Sequence, residues 1–265
     1  MQIIQTLELT RSFGSTLAVD RLNLEIAQGE TFGLLGPNGA GKTTTLKMLT
    51  TLLPPTSGTA LIAGMDVTRQ ADVVRRLIGY VPQLLSADST LTGFENLQAF
   101  ARLYDIPRSQ VAERVNAALD FMNLGDAAHK LVRNYSGGMI RRLEIAQSML
   151  HRPPILFLDE PTVGLDPGAR RAVWEHIEQL RQQFGITILL TTHLMEEADI
   201  LCDRVAIMHR GKVVAIGSPD KLIQSIGGGD LTLDDVFIHY TGDELNAGGS
   251  FRETSRVRRT ARRLG

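Results

Sequence analysis

Apolar and polar positions change period several times along the chain, and each change marks an element. Residues 3–30 alternate, with Leu7 and Leu9 and then Leu22, Leu24 and Ile26 as the apolar partners. This predicts two β-strands around a turn at Ser12 to Ser15, with Phe13 in the turn. Thr31 to Leu35 is a short apolar run and reads as a buried strand. After it, Leu46, Met48, Leu49, Leu52 and Leu53 are spaced for one face of a helix. Pro54 to Gly58 breaks the chain, Thr59 to Ile62 reads as a strand, and Val73 to Leu77 as a brief helix. Ile78 to Gln83 is a strand stopped by Pro82, with Gln83 just past its end.

From about Ser86 to His151 the pattern turns helical. Thr92 followed three residues later by Glu95 is a capping box ahead of Leu97, Phe100 and Leu103. Val111, Val115, Leu119 and Met122 continue at helical spacing towards a stop at Gly125. Ile140, Leu143, Ala146, Met149 and Leu150 share a side of the next helix, directly after Tyr135-Ser-Gly-Gly-Met139. Ile155 to Leu158 is wholly apolar and runs into Asp159 and Glu160, the mark of a parallel strand buried on both faces. A helix carrying Val173, Trp174, Ile177 and Leu180 follows Leu165-Asp166-Pro167. A second apolar strand, Ile186 to Thr192, ends at His193. A hairpin around His209 to Lys212 and a short helix at Asp220 to Ile226 come next. Strands alternating with helices predict an α/β fold with a helical lobe inserted at about 86–151. Gly227 to Gly229 reads as a linker and Leu231 to Tyr240 as a last ordered piece. From Asp243 the chain turns polar, with Arg252, Arg256, Arg258, Arg259, Arg262 and Arg263 in a tail expected to be disordered.

The richest chemistry sits between the first buried strand and its helix. Gly36-Pro37-Asn38-Gly39-Ala40-Gly41-Lys42-Thr43-Thr44 fits the pattern of a phosphate-binding loop in the strand–turn–helix context that pattern requires. Its glycines let successive N–H groups turn towards a phosphate, and the helix start adds its positive end. Lys42 would reach the β- and γ-phosphates, and the Thr43 hydroxyl would ligate Mg²⁺. Ser136-Gly137-Gly138 reads as a second anion nest built on the same physics, or as a Ser cap followed by flexible glycines. Asp159 and Glu160 end a strand where α/β sheets hold ligands. Adjacent acids in a strand point to opposite sides, so Asp159 is assigned to the Mg²⁺ shell and Glu160 to a water. Taken singly, Phe13 reads as a core residue, Gln83 as a loop polar group and His193 as structural.

Composition narrows the setting. The chain has 265 residues, a net charge of −1, 43 % hydrophobic and 5 % aromatic residues, and one cysteine, Cys202. A near-neutral chain with few aromatics is a poor fit to a specific nucleic-acid binder. A lone cysteine excludes a disulfide framework. No apolar run approaches the ~20 residues of a membrane span, so the expectation is a soluble, cytosolic chain whose membrane part, if any, belongs to another chain.

Together these stretches resemble the ATP-binding subunit of ATP-binding-cassette (ABC) transporters over roughly residues 3–226. The resemblance implies a P-loop NTPase cassette: a RecA-like core sheet, an antiparallel β subdomain and a helical signature lobe. It makes 227–242 a C-terminal extension and 243–265 a basic tail. By resemblance, Phe13 stacks on adenine and Gly36 to Thr44 hold the ATP phosphates. Thr43, Asp159 and Gln83 serve Mg²⁺, while Glu160, His193 and Gln83 serve hydrolysis. Ser136, Gly137 and Gly138 touch the γ-phosphate of a facing subunit, and Asp166 lies in the dimer loop. Tyr135 and Met139 depart from the common Leu and Gln of that signature. With Arg141-Arg142 and the segment Leu231 to Gly242, they are similar to the drug- and polyketide-export branch, including daunorubicin-resistance and nodulation-export types. The implied cofactors are ATP and Mg²⁺, and the implied partners are separate membrane permease subunits and a second, identical cassette. The expected location is the cytoplasmic face of the membrane. The alternatives are a soluble ABC ATPase that moves no solute and a regulatory module that binds ATP without turnover.

Overall fold

The computed structural model describes residues 1–242; the arginine-rich tail lies outside the described residues. The chain opens on β1 (Gln2–Phe13), β2 (Thr16–Ala27), β3 (Thr31–Leu35) and α1 (Lys42–Leu49). β4 (Ser57–Ile62), β5 (Met65–Asp66), α2 (Ala71–Leu77) and β6 (Ile78–Val81) follow. Three helices come next, α3 (Gly93–Leu103), α4 (Arg108–Phe121) and α5 (Gly137–Met149). The chain returns through β7 (Ile155–Asp159), α6 (Pro167–Phe184), β8 (Thr187–Thr192), α7 (Met195–Leu201), β9 (Arg204–His209) and β10 (Lys212–Gly217). It closes on α8 (Pro219–Ser225) and α9 (Leu233–Thr241).

One sheet has the order β10-β9-β3-β8-β7-β6, parallel from β9 to β6 with β10 antiparallel at its edge. The other, β2-β1-β4-β5, is antiparallel throughout. The apolar strands of the first sheet feed two cores by strict alternation. Leu156 and Leu158 of β7 enter the core shared with α3 to α6. Ile155 and Phe157 enter the core that holds Leu46, Met48 and Leu49 of α1 and Ile4, Leu9 and Ile26 of the antiparallel sheet. Burial on both faces is why β7 carries no polar residue before Asp159. Each such side chain contributes about 1.5–3 kcal/mol.

The capping box forms as its spacing predicts: Thr92 Oγ1 accepts from the Glu95 N–H at 3.1 Å and Thr92 N–H donates to Glu95 Oε2 at 2.8 Å. Local expectations change in several places. The helix after the glycine-rich loop ends at Leu49, so that Leu52, expected on its apolar face, is exposed. Phe13 lies in β1, paired with Thr16, and the turn itself is Gly14 (φ +57°) and Ser15. The helix expected to end at Gly125 ends at Phe121. Asn123 takes the left-handed conformation (φ +52°), and Arg142 from α5 donates to the Met122 carbonyl at 2.7 Å. A distant arginine thus satisfies carbonyls that a local glycine was expected to serve. Gly125 instead opens a short 3₁₀ turn, Gly125–Ala127. Among the described residues no helix is long and apolar enough to cross a membrane.

Candidate active site

Four neighbouring parallel strands deliver their carboxyl ends to one edge of the sheet. Gly36 follows β3, His193 follows β8, Asp159 closes β7 with Glu160 just past it, and Gln83 lies just past β6. Residues far apart in sequence therefore meet where open α/β sheets bind ligands.

The loop after β3 needs its glycines for two reasons. Gly36 has φ +153°, and a Cβ there would stand 2.3 Å from the Met208 carbonyl oxygen. Gly41 has φ +105°, and a Cβ would stand 2.4 Å from the Ala18 carbonyl oxygen. Gly41 is the N-cap of α1, and no side chain caps that helix. Its first N–H groups therefore remain available to an anion. The loop lines a cleft of about 520 Å³ with Phe13, Ala18, Asn38 to Thr44, Gln83 and Glu160. Phe13 is 47 % exposed at this cleft. The Arg11 guanidinium stands 4.7 Å from its ring centroid and is itself held by the Pro54 carbonyl at 2.8 Å.

Lys42 is buried. Its Nζ donates to the carbonyls of Gly36 at 2.7 Å and Pro37 at 3.1 Å and stands 3.3 Å from Glu160 Oε1. Burial pushes the ammonium below its ordinary pKa, with Glu160 and Asp159 opposing the shift. Glu160 is the meeting point of the site. His193 Nδ1 lies 3.3 Å from Oε1, and Gln83 Nε2 donates to Oε2 at 3.1 Å. Burial raises the Glu160 carboxyl, but His193 and Lys42 outweigh it and hold the group below its ordinary value.

The two adjacent acids serve different partners, as expected, but not by strand alternation. β7 ends at Asp159, and Glu160 has φ +48°, a left-handed conformation that costs a non-glycine residue roughly 1–2 kcal/mol. Thr191 of β8 holds it there: Glu160 N–H donates to the Thr191 carbonyl at 3.1 Å and to its Oγ1 at 3.0 Å. The Thr191 hydroxyl donates in turn to Asp159 Oδ1 at 2.5 Å, and the Thr43 hydroxyl donates to the same oxygen at 3.1 Å. Thr43 and Asp159 thus place a hydroxyl and a carboxylate side by side. Sequence reasoning missed Thr191; a polar residue near the end of an apolar strand was its signal.

Ser136, Gly137, Gly138 and Asp166 do not line this cleft. Ser136 is the N-cap of α5 and accepts from the Met139 N–H at 3.3 Å. Asp166 is the N-cap of α6 and accepts from the Ala169 N–H at 2.9 Å. Of the two readings of Ser136 to Gly138, the serine cap is the one the chain forms by itself. Gly137 and Gly138 are helical, and their missing Cβ atoms make room for Leu165 and Ala169, at 3.2 and 2.7 Å. Tyr135 is buried and donates its hydroxyl to the Ala127 carbonyl at 2.7 Å, in space that Gly93 leaves open. Sequence reasoning also missed Glu197, fully buried on α7. It accepts from Thr162 Oγ1 at 2.7 Å and Trp174 Nε1 at 2.8 Å, fastening the stretch after Glu160 to the stretch after His193.

Residues 19–163 match the sequence profile of the family described as ABC transporter. The chain is 43 % identical over 243 residues to the Nod factor export ATP-binding protein I of Cupriavidus metallidurans, covering 92 % of this chain and 78 % of that one. It is 46 % identical over 230 residues to the daunorubicin/doxorubicin resistance ATP-binding protein DrrA of Streptomyces peucetius, covering 87 % and 69 %. A solved ATP-binding subunit of an ABC transporter superposes with TM-score 0.80 at 28 % identity, covering 90 % of this chain and 99 % of that one. A dimeric ATP-binding cassette in a post-hydrolysis state with ADP and Pi superposes with TM-score 0.73 at 25 % identity, covering 81 % and 98 %. With the phosphate loop and the Glu160 carboxylate brought into one cleft, these likenesses make the chain a member of the ABC transporter family, an ATP-binding cassette that hydrolyses ATP.

Proposed function

We propose that this cassette powers export of a small molecule, of drug, polyketide or lipid-like character, through a separate membrane permease. The observation that carries the ATP-driven part is the convergence of Lys42, Gln83 and His193 on the Glu160 carboxylate beside the phosphate loop. The export part is supported by the two relatives, one named for Nod factor export and one for daunorubicin/doxorubicin resistance. Residues 3–226 form the ATP-binding unit, and 227–242 extend it. The permease would hold the chain at the cytoplasmic face of the membrane. Leu84 and Leu85, 81 % and 53 % exposed just past Gln83, offer an apolar surface for such a partner.

Adenine stacks on Phe13, and the phosphates lie along Gly36 to Thr44. A phosphate competes for Lys42 with the Gly36 and Pro37 carbonyls and draws it from Glu160. The Glu160 carboxylate, released from the Lys42 ammonium, then orients or deprotonates the attacking water, while His193 holds the γ-phosphate. The oxygen donors of Thr43 and Asp159, together with Gln83, fit Mg²⁺, which keeps several non-protein ligands and takes few protein ones. When bound it would neutralise charge on the phosphates. Ser136, Gly137 and Gly138 act on the nucleotide of a second, identical cassette facing this one, with Asp166 at the contact. Their absence from the chain's own cleft supports that reading, as does the dimeric relative.

ATP hydrolysis of the purified chain, measured against protein concentration, tests the proposal. Turnover per subunit should rise with concentration; a rate per subunit flat over the whole range would overturn the paired mechanism.

A further inference from the structure

A single turn of α5 grips both ends of the segment that follows β6. Arg141 donates through Nη1 to the Pro82 carbonyl at 2.7 Å and through Nη2 to the Gln83 carbonyl at 2.9 Å. Glu144, one turn on, accepts from the Ser86 N–H, and from its hydroxyl at 3.1 Å. The other Glu144 oxygen stands 3.0 Å from Arg141 Nη1. Both side chains are buried, and burial pushes the Arg141 guanidinium below its ordinary pKa, with Glu144 opposing. A buried ion pair is a weak source of stability, because desolvation offsets most of its attraction. This pair instead directs its hydrogen bonds at the backbone of one loop. Between the gripped ends, Leu84 and Leu85 stand out into solvent.

The grip has two neighbours. Gln83, whose carbonyl Arg141 holds, reaches Glu160 with its side chain at 3.1 Å. Arg141 also lies in the same helix as Gly137 and Gly138, less than two turns from the Ser136 cap. Loop and helix start are otherwise far apart in sequence, and the pair joins them by direct bonds.

We propose that Arg141 and Glu144 are positioning residues for ATP hydrolysis, locking the start of α5 to the Gln83–Glu160 contact so that the two move as one body. A displacement at Ser136 to Gly138 is then transmitted to the catalytic carboxylate through the Gln83 backbone. This rests on the reading that Gln83 and Glu160 act in hydrolysis.

The test compares Gln83→Ala, the double variant Arg141→Met/Glu144→Leu, and the triple variant. Replacing both charges together leaves neither alone in the interior. The readouts are kcat and KM for ATP, ATP affinity and the melting temperature. The double variant should melt and bind ATP like wild type but lose about tenfold to a hundredfold in kcat, the scale of an ångström misplacement. Adding Gln83→Ala should lower kcat no further, since both changes break one connection. A double variant within about twofold of wild-type kcat overturns the proposal. Multiplying losses in the triple variant overturn it as well. If Gln83→Ala alone leaves kcat unchanged, the reading of Gln83 itself has failed. Should the double variant not fold, Arg141→Lys keeps the charge but lacks the fork that spans two carbonyls. It should lose kcat without losing ATP affinity, and unchanged kcat would overturn the proposal.

Discussion

The molecule carries two glycine-bearing helix starts, the loop into α1 and Ser136 to Gly138 into α5, and they use glycine for opposite purposes. At α1 the glycines shape the backbone: Gly36 and Gly41 have positive φ, and a Cβ at either would strike a carbonyl oxygen. No side chain caps that helix, and Lys42, Glu160 and Asp159 surround the Thr43 end of the loop. At α5 the cap is the helix's own Ser136, and the glycines are ordinary helical residues whose lack of a side chain admits Leu165 and Ala169. The first start is open to a ligand within one chain. The second is capped by its own serine and packed against the loop and helix that follow β7. The same amino acids in similar motifs therefore make an uncapped helix start open to an anion in one place and a capped, close-packed joint in the other.

The largest effect expected falls on the first start. Glu160→Gln should keep ATP binding and lose about 10²–10⁴-fold in turnover, the usual worth of a general base. Hydrolysis at the wild-type rate would remove Glu160 from the mechanism. The same variant carries a pH signature. Because its folded pKa lies below the ordinary 4.5, the Glu160 carboxylate stabilises the fold at pH above that value, and this contribution is lost as pH falls through the lower folded value. Glu160→Gln should remove that acid-side loss from the denaturation profile.

Lys42→Ala should weaken ATP binding about tenfold to a hundredfold, as expected for one charge-assisted hydrogen bond. Nucleotide titration reads this directly, and unchanged affinity would leave Lys42 a purely structural lysine. A pair of glycine variants sharpens the contrast. Gly41→Ala meets both a left-handed backbone and a carbonyl, so ATP binding should fail even in dilute protein. Gly138→Ala keeps a helical backbone and meets the Ala169 methyl at 2.7 Å, an overpacking of about 1–3 kcal/mol. It should bind ATP normally and lose the rise of turnover with concentration. If both variants failed in the same way, the distinction between the two starts would be wrong.

Much of this was legible because local rules controlled it. β7 is read correctly from Ile155 to Leu158, since burial on both faces leaves no polar position to confuse the period. Thr92 and Glu95 meet as their spacing dictates, and Asp159, His193 and Gln83 are recognisable as the residues that follow apolar runs. What the sequence hid depends on partners distant in the chain. Nothing near Glu160 announces its left-handed backbone, which Thr191 enforces from the next strand. The end of α4 is closed by Arg142, some twenty residues on, and not by the nearby Gly125. The motif around Ser136 looks like a nest because glycine composition is visible, whereas the φ values and the Ala169 contact that explain it are not. Glu197 reads as one more polar residue on a short helix until Thr162 and Trp174 are seen to converge on it.

The smallest effect is the most discriminating for the second start. Ser136→Ala removes a cap worth ~1 kcal/mol, which lowers the melting temperature by about 2–4 °C in a domain of this size. ATP affinity in dilute protein should not change, because Ser136 does not line the chain's own cleft; a weaker affinity there would mean that the two starts share one site. Turnover at high protein concentration should fall, and Ser136→Asn then separates two causes. Asparagine caps about as well as serine, so the melting temperature should return to the wild-type value. If turnover returns with it, the residue matters by holding the start of α5 in shape. If turnover stays low while the helix is fully capped, the hydroxyl itself is needed on the facing subunit's nucleotide, the outcome expected from the head-to-tail pair.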